Sequence, residues 1–382
     1  EVLLATLALV MDSPQSLDLV DWLLHEGAGI RFTLVNDFFK DGSACESESY
    51  NNIHIRDMDR IFDLLERIRR LYPDEWEKRG LASLYGDPKY RLMYDFPLEN
   101  SLIGCTTTWT GDTGHSITTD RLKPRQGFPL GGGDFVNVYR RTRDPRFAQA
   151  MAGPAGQVPA ELTDPELRAE AEKTVQERGC EVELPSNVLD GYGHAILRSG
   201  AGEHGRALWL RYGRVIQHAH QDLLTIGLAA LGRDMLPELG YPQGWTHAGR
   251  WAANWGTHYA AHITGVRTAD FGRGRLTLFA DTPPARVATA SSRLLPGKGE
   301  ATQSRTIALV DLSPEACYAV TLHRVLGGEE HTLSFHGPDG EAVPTGLELT
   351  PQAGGTVLGP EVAYGDYASV SGLDPELSCL AF

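Results

Sequence analysis

The sequence predicts an α+β multidomain chain, with a helical domain over 1–180 followed by an antiparallel β-sandwich over 181–382. Three observations carry this. Up to about residue 180, apolar residues recur at the three- and four-residue spacing of a helix face. After Gly179 they gather instead in short β-prone runs punctuated by Gly, Pro and Asp. Within the helical part, residues 97–132 are rich in Gly, Thr and Pro and show no period. A loop that long in a compact domain is usually functional or poorly ordered.

In order, Leu3, Leu4, Leu7 and Val10 share a helical face, and Ser13-Pro14 ends that helix and starts another, carrying Leu17, Val20, Leu23 and Leu24. Asp41-Gly42-Ser43 is a turn. Residues 50–71 predict a long amphipathic helix with Ile53, Met58, Ile61, Leu64, Leu65 and Ile68 inward. Two last helices are expected over 134–151 and 164–178. Strands are expected at 182–184, 194–198, 207–212, 275–280, 306–311 and 318–325. Repeated short strands of this kind argue for stacked antiparallel sheets, and paired inward and outward helices are compatible with a toroid.

Composition narrows the function. The 382 residues carry a net charge of −15 and no basic tract, which argues against nucleic acid and anionic membrane as partners. An acidic substrate would have to enter a locally positive cleft. Cys45, Cys105, Cys180, Cys317 and Cys379 lie far apart with no Cys-X-X-Cys, so they read as buried small hydrophobes and not as a disulfide framework. No segment is long and apolar enough to cross a bilayer, and membrane insertion is not expected. Residues 1–10 lack a basic leader region and read as a helix entered midway. No phosphate loop, dinucleotide fingerprint or nucleophile elbow occurs in a suitable context.

The richest stretch is 217–241. In extended chain His218 and His220 point the same way, because side chains alternate with period two. Leu224, Ile226 and Leu228 read as one packed strand face, and Gly232 supplies a turn from which 235–239 would return with Glu238. Neutral imidazoles and a carboxylate are the ingredients of a zinc site. In a regular hairpin Glu238 would pair near Ile226, about 20 Å from His220 at about 3.3 Å per residue. So either His220-Gln-Asp-Leu223 is a bend, or Glu238 is not a ligand.

Three separated pieces resemble the heparinase II/III family of polysaccharide lyases. They are Asp41-Gly42-Ser43 with Glu46 and Tyr50-Asn51, then His218-Ala-His220-Gln-Asp222 through Leu236-Pro237-Glu238-Leu239-Gly240-Tyr241, then Thr257-His258 with Gly265 and Gly274-Arg275-Leu276. The Gly111-Asp112 turn and Tyr318, Arg324, Gly327-Gly328, His331 and Phe335-His336 add to the likeness. It spans nearly the whole chain.

The resemblance implies an incomplete α/α toroid followed by a β-sandwich, and β-elimination on an acidic, uronate-bearing polysaccharide. It implies Tyr50 and His218 as the proton-transfer residues, and zinc, in a structural role, on His220, Glu238 and His258. A free phenol has a pKa near about 10, so Tyr50 needs nearby cations or donors to act as a base. Glu46, Asn51, His54 and Trp245 are candidate substrate contacts, with Trp251 and Trp255 near Trp245 in sequence. His262 is the rival ligand to His258 if a helix pairs them. Two positions depart from the family: Glu238 where it has Asp, and Tyr259 where it has Asn. The Asn or Asn-His pair that neutralises the uronate carboxylate is not found before Asp41, Asn36 being too close, and is expected ahead of Glu1 in an N-terminally truncated chain. The resemblance further implies a periplasmic or secreted protein and allows a homodimer. A catalytically inactive glycan-binding relative is the alternative, and a zinc hydrolase a third reading.

Overall fold

The computed structural model describes residues 13, 15–26, 29–103, 107–113, 130, 132–152, 156–214, 217–238, 252–337, 343–346, 348–350, 352–355 and 360. Backbone proximity divides the chain into two compact units, Glu1–Glu99 with Gly127–Val182, and Asn100–Gln126 with Glu183–Phe382. Helices in one and antiparallel sheets in the other make the fold α+β. The helix expected over 1–10 lies outside the described residues.

In the first unit α1 (Gln15–His25) buries Leu17, Val20, Leu23 and Leu24, the face its spacing predicts. After α2 (Ile30–Asn36), the Asp41-Gly42-Ser43 turn closes with Phe39 N–H donating to Ser43 O at 2.8 Å. Gly42 has φ +86°, and a Cβ there would lie 2.1 Å from the Leu92 backbone, so glycine is required. The long helix α3 (Glu48–Leu71) buries Ile55, Met58, Phe62, Leu65 and Ile68. Ile53, expected inward, is 51% exposed, because at about 100° per residue it falls on the face opposite Ile55. Between α3 and the period-free stretch lie two helices the sequence reading missed, α4 (Pro73–Lys78) and α5 (Pro88–Glu99).

The single helix expected over 134–151 is instead two, α6 (Val136–Thr142) and α7 (Pro145–Ala152). Arg143 turns left-handed with φ 56°, and Pro145 disfavours helix at Asp144 and supplies no N–H. The last helix, α8 (Pro165–Arg178), starts as its sequence dictates. Asp164 caps it by accepting from Glu166 N and Leu167 N at 3.0 and 3.1 Å, with proline at the first position.

The second unit holds a five-stranded sheet in the order β1 (Asn187–Leu189), β2 (His194–Ser199), β3 (Arg206–Arg211), β4 (Ile226–Ala230), β5 (Arg233–Asp234). The short β6 (Ala261–Ile263) pairs with β11 (His331–Leu333). A four-stranded sheet runs β10 (Cys317–Leu326), β9 (Thr302–Asp311), β8 (Ala285–Arg293), β7 (Arg275–Thr282), all neighbours antiparallel. One apolar cluster joins Ala195, Leu197, Leu208 and Leu210 of the first sheet to Ala288, Ala290, Ile307 and Leu309 of the second. No strand forms at 182–184, where Pro185 follows and offers no ladder donor. Strand β8 escaped sequence reading because its Ala, Ser and Arg content carries little β preference.

Both faces of β2 and β3 are buried. On the side away from the second sheet, Leu102 and Ile103 pack on Ile196, Ala207 and Trp209. This pins part of the period-free stretch to the sheet. Asn100 Oδ1 and His194 Nδ1 lie 2.9 Å apart, and Thr110 Oγ1 and Tyr192 Oη 3.3 Å. The segment leading to Asp112 is thereby fixed against the strands that lead to His218.

Candidate active site

The bend alternative holds. The hairpin turns at Leu231 and Gly232, with φ 54° and 65°, but β5 ends at Asp234, and both Met235 N–H and Leu236 N–H donate to Leu228 O. The chain therefore leaves the ladder before Glu238. On the other arm, His218 and Leu224 adopt φ 53° and 61°, so 218–224 is irregular and folds back before β4. The 20 Å separation of a regular hairpin does not arise.

His220, Glu238 and His258 come together, one donor atom from each lying within 4.8 Å of the others, and all three are buried. His258 Nδ1 and Glu238 Oε1 are 2.6 Å apart, but the ring is not aimed along that line as a hydrogen-bond donor, and among the described residues neither ring nitrogen of His258 has a hydrogen-bond partner. His220 Nδ1 is likewise buried without one. Leaving a buried polar atom unpaired costs about 1–3 kcal/mol. Two buried imidazoles converging with a carboxylate fit a divalent ion such as zinc. Burial alone would lower the His258 pKa, but the Glu238 charge outweighs it and the net direction is up.

Each of the three residues is set from behind. Tyr259 Oη donates to Pro237 O at 3.1 Å, and His336 Nε2 donates to the same carbonyl at 2.8 Å, fixing the residue before Glu238. Tyr259 thus has a structural task in this chain. His258 follows a short turn, Trp255–Thr257, in which Asn254 caps Gly256 N at 3.0 Å. Gln221 N–H donates to Ala253 O at 2.9 Å and ties the His220 segment to that turn. The helix that would pair His258 with His262 does not exist. His262 sits in β6 and its ring stacks on Trp255 at 4.5 Å, outside the cluster.

His218 lies beside the cluster with its side chain one-third exposed, its Nδ1 3.0 Å from Asp112 Oδ2. Asp112 Oδ1 lies 2.8 Å from His220 Nε2. Burial alone would raise the Asp112 pKa, but the hydrogen bonds from His220 and His218 outweigh it and hold the carboxyl below its usual range. Behind them, buried Arg211 Nε approaches Asp222 Oδ1 to 2.9 Å, off the N–H axis, and its Nη1 faces His194 Nε2 at 3.4 Å. Burial, then the Arg211 charge, keeps His194 neutral. A cavity of about 480 Å³ opens here, lined by Arg211, Arg214, His220, Asp222 and Phe271 among others.

In the first unit, Tyr50 is partly exposed in the first turn of α3. His54, one turn on, has Nε2 3.1 Å from Glu46 Oε1 and meets Phe38 edge-on. Asn51 is 1% exposed, and its amide nitrogen, so oriented, reaches the carbonyls of Ala44 and Glu46 at 3.1 and 3.2 Å. His54 also lines a cavity of about 360 Å³ with Trp22, Ile30, Met58 and Ile61. Trp245 and Trp251 lie outside the described residues, and Trp255 is buried against His262.

No family model matches the chain, and no curated protein is similar to it. Among solved structures, a heparinase III superposes with a TM-score of 0.56 at 14% identity, over 90% of this chain. The fold is heparinase-like. At that identity the likeness carries the fold alone, and this chain spans 47% of the heparinase III chain.

Sequence reasoning gave Asp112 no more than a place in a turn, and missed Arg211 and His194. The signal for Asp112 was the long period-free stretch that contains it. The others are charged or polar residues inside β-prone runs, where an alternating pattern predicts apolar side chains.

Proposed function

We propose that this chain carries the site of a polysaccharide lyase that cleaves a uronic-acid-containing glycan by β-elimination. The observation that carries this reading is the convergence of His220, Glu238 and His258 beside His218 within a heparinase-like fold. β-Elimination needs a neutralised uronate carboxylate, a base for the proton beside it, and an acid for the departing glycosidic oxygen. Tyr50 and His218 are the proton-transfer residues of this proposal. Zinc held by His220, Glu238 and His258 has a structural part, stiffening the 217–238 segment that carries His218. The helices belong to an α/α toroid and the two larger sheets to a β-sandwich in this reading. Glu46, His54 and Trp245 contribute to glycan binding, and the protein works in the periplasm or outside the cell.

The test is incubation of the protein with alginate, heparan sulfate and hyaluronan while following near-ultraviolet absorbance for the new double bond. Tyr50→Phe and His218→Ala should each slow the reaction by about 100-fold or more, the usual contribution of a positioned acid or base. Folded protein silent on all uronate glycans, yet retained on a glycan column with or without Tyr50→Phe, would establish the alternative of a binding relative without turnover. Metal-dependent release of saturated products would point to hydrolysis.

A further inference from the structure

We infer that Asp112 is the positioning residue of this site, one carboxylate that fixes the ring state of both the proton-transfer histidine and a metal-ligand histidine. The inference rests on the function proposed above. The contacts are Oδ2 to His218 Nδ1 at 3.0 Å and Oδ1 to His220 Nε2 at 2.8 Å. A third bond locks the backbone, with Asp112 N–H donating to His218 O at 3.0 Å. That bond holds His218 in its left-handed conformation, φ 53°, which a non-glycine residue adopts at a cost of about 1–3 kcal/mol unless its surroundings impose it.

An ionised carboxylate accepts hydrogen bonds and donates none. Each ring nitrogen facing Asp112 must therefore carry the proton. His220 is protonated at Nε2, which leaves the buried Nδ1, without a hydrogen-bond partner among the described residues, as the atom that offers its lone pair to the ion. His218 is protonated at Nδ1, which leaves Nε2 as the basic nitrogen for proton transfer. Nδ1 protonation is the less usual form of a neutral imidazole, and Asp112 imposes it. The exposures agree with this division: His220 is sealed at 1%, while His218 stays open to solvent at 33%. Because the two histidines share one anion, a change in ring orientation at the ion is transmitted to the proton-transfer group through Asp112.

The experiment compares the wild-type protein with Asp112→Asn and Asp112→Glu. In nitrogen-15 spectra of chelated wild-type protein at alkaline pH, His218 should show a protonated Nδ1 and His220 a protonated Nε2. Zinc affinity, read by competition with a coloured chelator, should fall about 10- to 100-fold in Asp112→Asn, the usual effect of losing an outer carboxylate. On uronate glycans kcat should fall with KM little changed, and Asp112→Glu should restore part of both. Wild-type spectra with His218 unprotonated at Nδ1, or zinc affinity unchanged in folded Asp112→Asn, would overturn the inference. The spectra need no variant, so a misfolded Asp112→Asn leaves the inference testable. A wild-type protein with no lyase activity, but with these spectra and this loss of zinc affinity, would sink the proposed function and leave the role of Asp112 standing.

Discussion

His258 Nδ1 and Glu238 Oε1 lie 2.6 Å apart with both side chains sealed from water, at 0% and 2% exposure. A carboxylate and an imidazole so placed, with no hydrogen-bond partner at either ring nitrogen among the described residues, are held in a geometry that a bound cation would relieve. Purified protein should therefore contain zinc close to one ion per chain. An ion at 1,000 times its dissociation constant stabilises the folded state by about 4 kcal/mol. Chelation should lower the melting temperature accordingly, and Glu238→Gln or His258→Ala should abolish the difference. Identical melting curves with and without chelator would mean that no metal is held.

Arg305 is a buried cation whose partners are neutral oxygens. Its guanidinium donates to Leu224 O at 2.9 Å, to Tyr259 O, and to Thr321 Oγ1 at 2.9 Å, and burial pulls its pKa down to about 10. It clamps the left-handed Leu224, downstream of His220, and Tyr259, the residue after His258. Replacement by Met strands two buried carbonyls and should cost about 3 kcal/mol in urea unfolding. Zinc affinity should fall with it, since the two clamped segments carry the candidate ligands His220 and His258. Arg305→Lys should recover part of each loss.

His323 predicts an acid-side loss of stability. Burial first, then the Arg305 charge, pushes its pKa down to about 3. An unfolded histidine titrates near about 6.5. Between these values the unfolded chain binds the extra proton, so this stability is complete above pH 6.5 and drains as pH falls towards 3. Its slope approaches about 1.4 kcal/mol per pH unit. Urea midpoints measured across that window for wild type and His323→Gln should differ in slope, the variant being flatter. His194, shifted in the same direction, contributes equally to both proteins. Parallel slopes would remove His323 from the account.

Gly227 is fixed by its neighbour. A Cβ at this position would lie 2.3 Å from Trp209 Nε1, across the paired strands β3 and β4. Gly227→Ala should therefore destabilise by about 1–3 kcal/mol, as overpacked cores do. Adding Trp209→Phe, which removes the clashing ring, should offset part of that loss. A double-mutant cycle reads the coupling directly.

What the sequence determined by itself was set by local periodicity and local chemistry. The buried stripe of α1, the Asp164 cap of α8, the Gly232 turn and most of the strands follow from residues close in sequence. Their partners are within a helix turn or a hairpin, so spacing alone specifies them. The set His220, Glu238 and His258 was legible through resemblance, but its convergence was not. Local rules made a regular hairpin the default, and that geometry would have parted Glu238 from His220. Left-handed residues at His218 and Leu224 and the early end of β5 brought the three residues together, and these depend on distant groups such as Arg305 and Asp112. Asp112 meets His218 across 106 positions of chain. No period or motif encodes a contact of that separation, because packing the 100–113 segment onto β2 and β3 is what creates it.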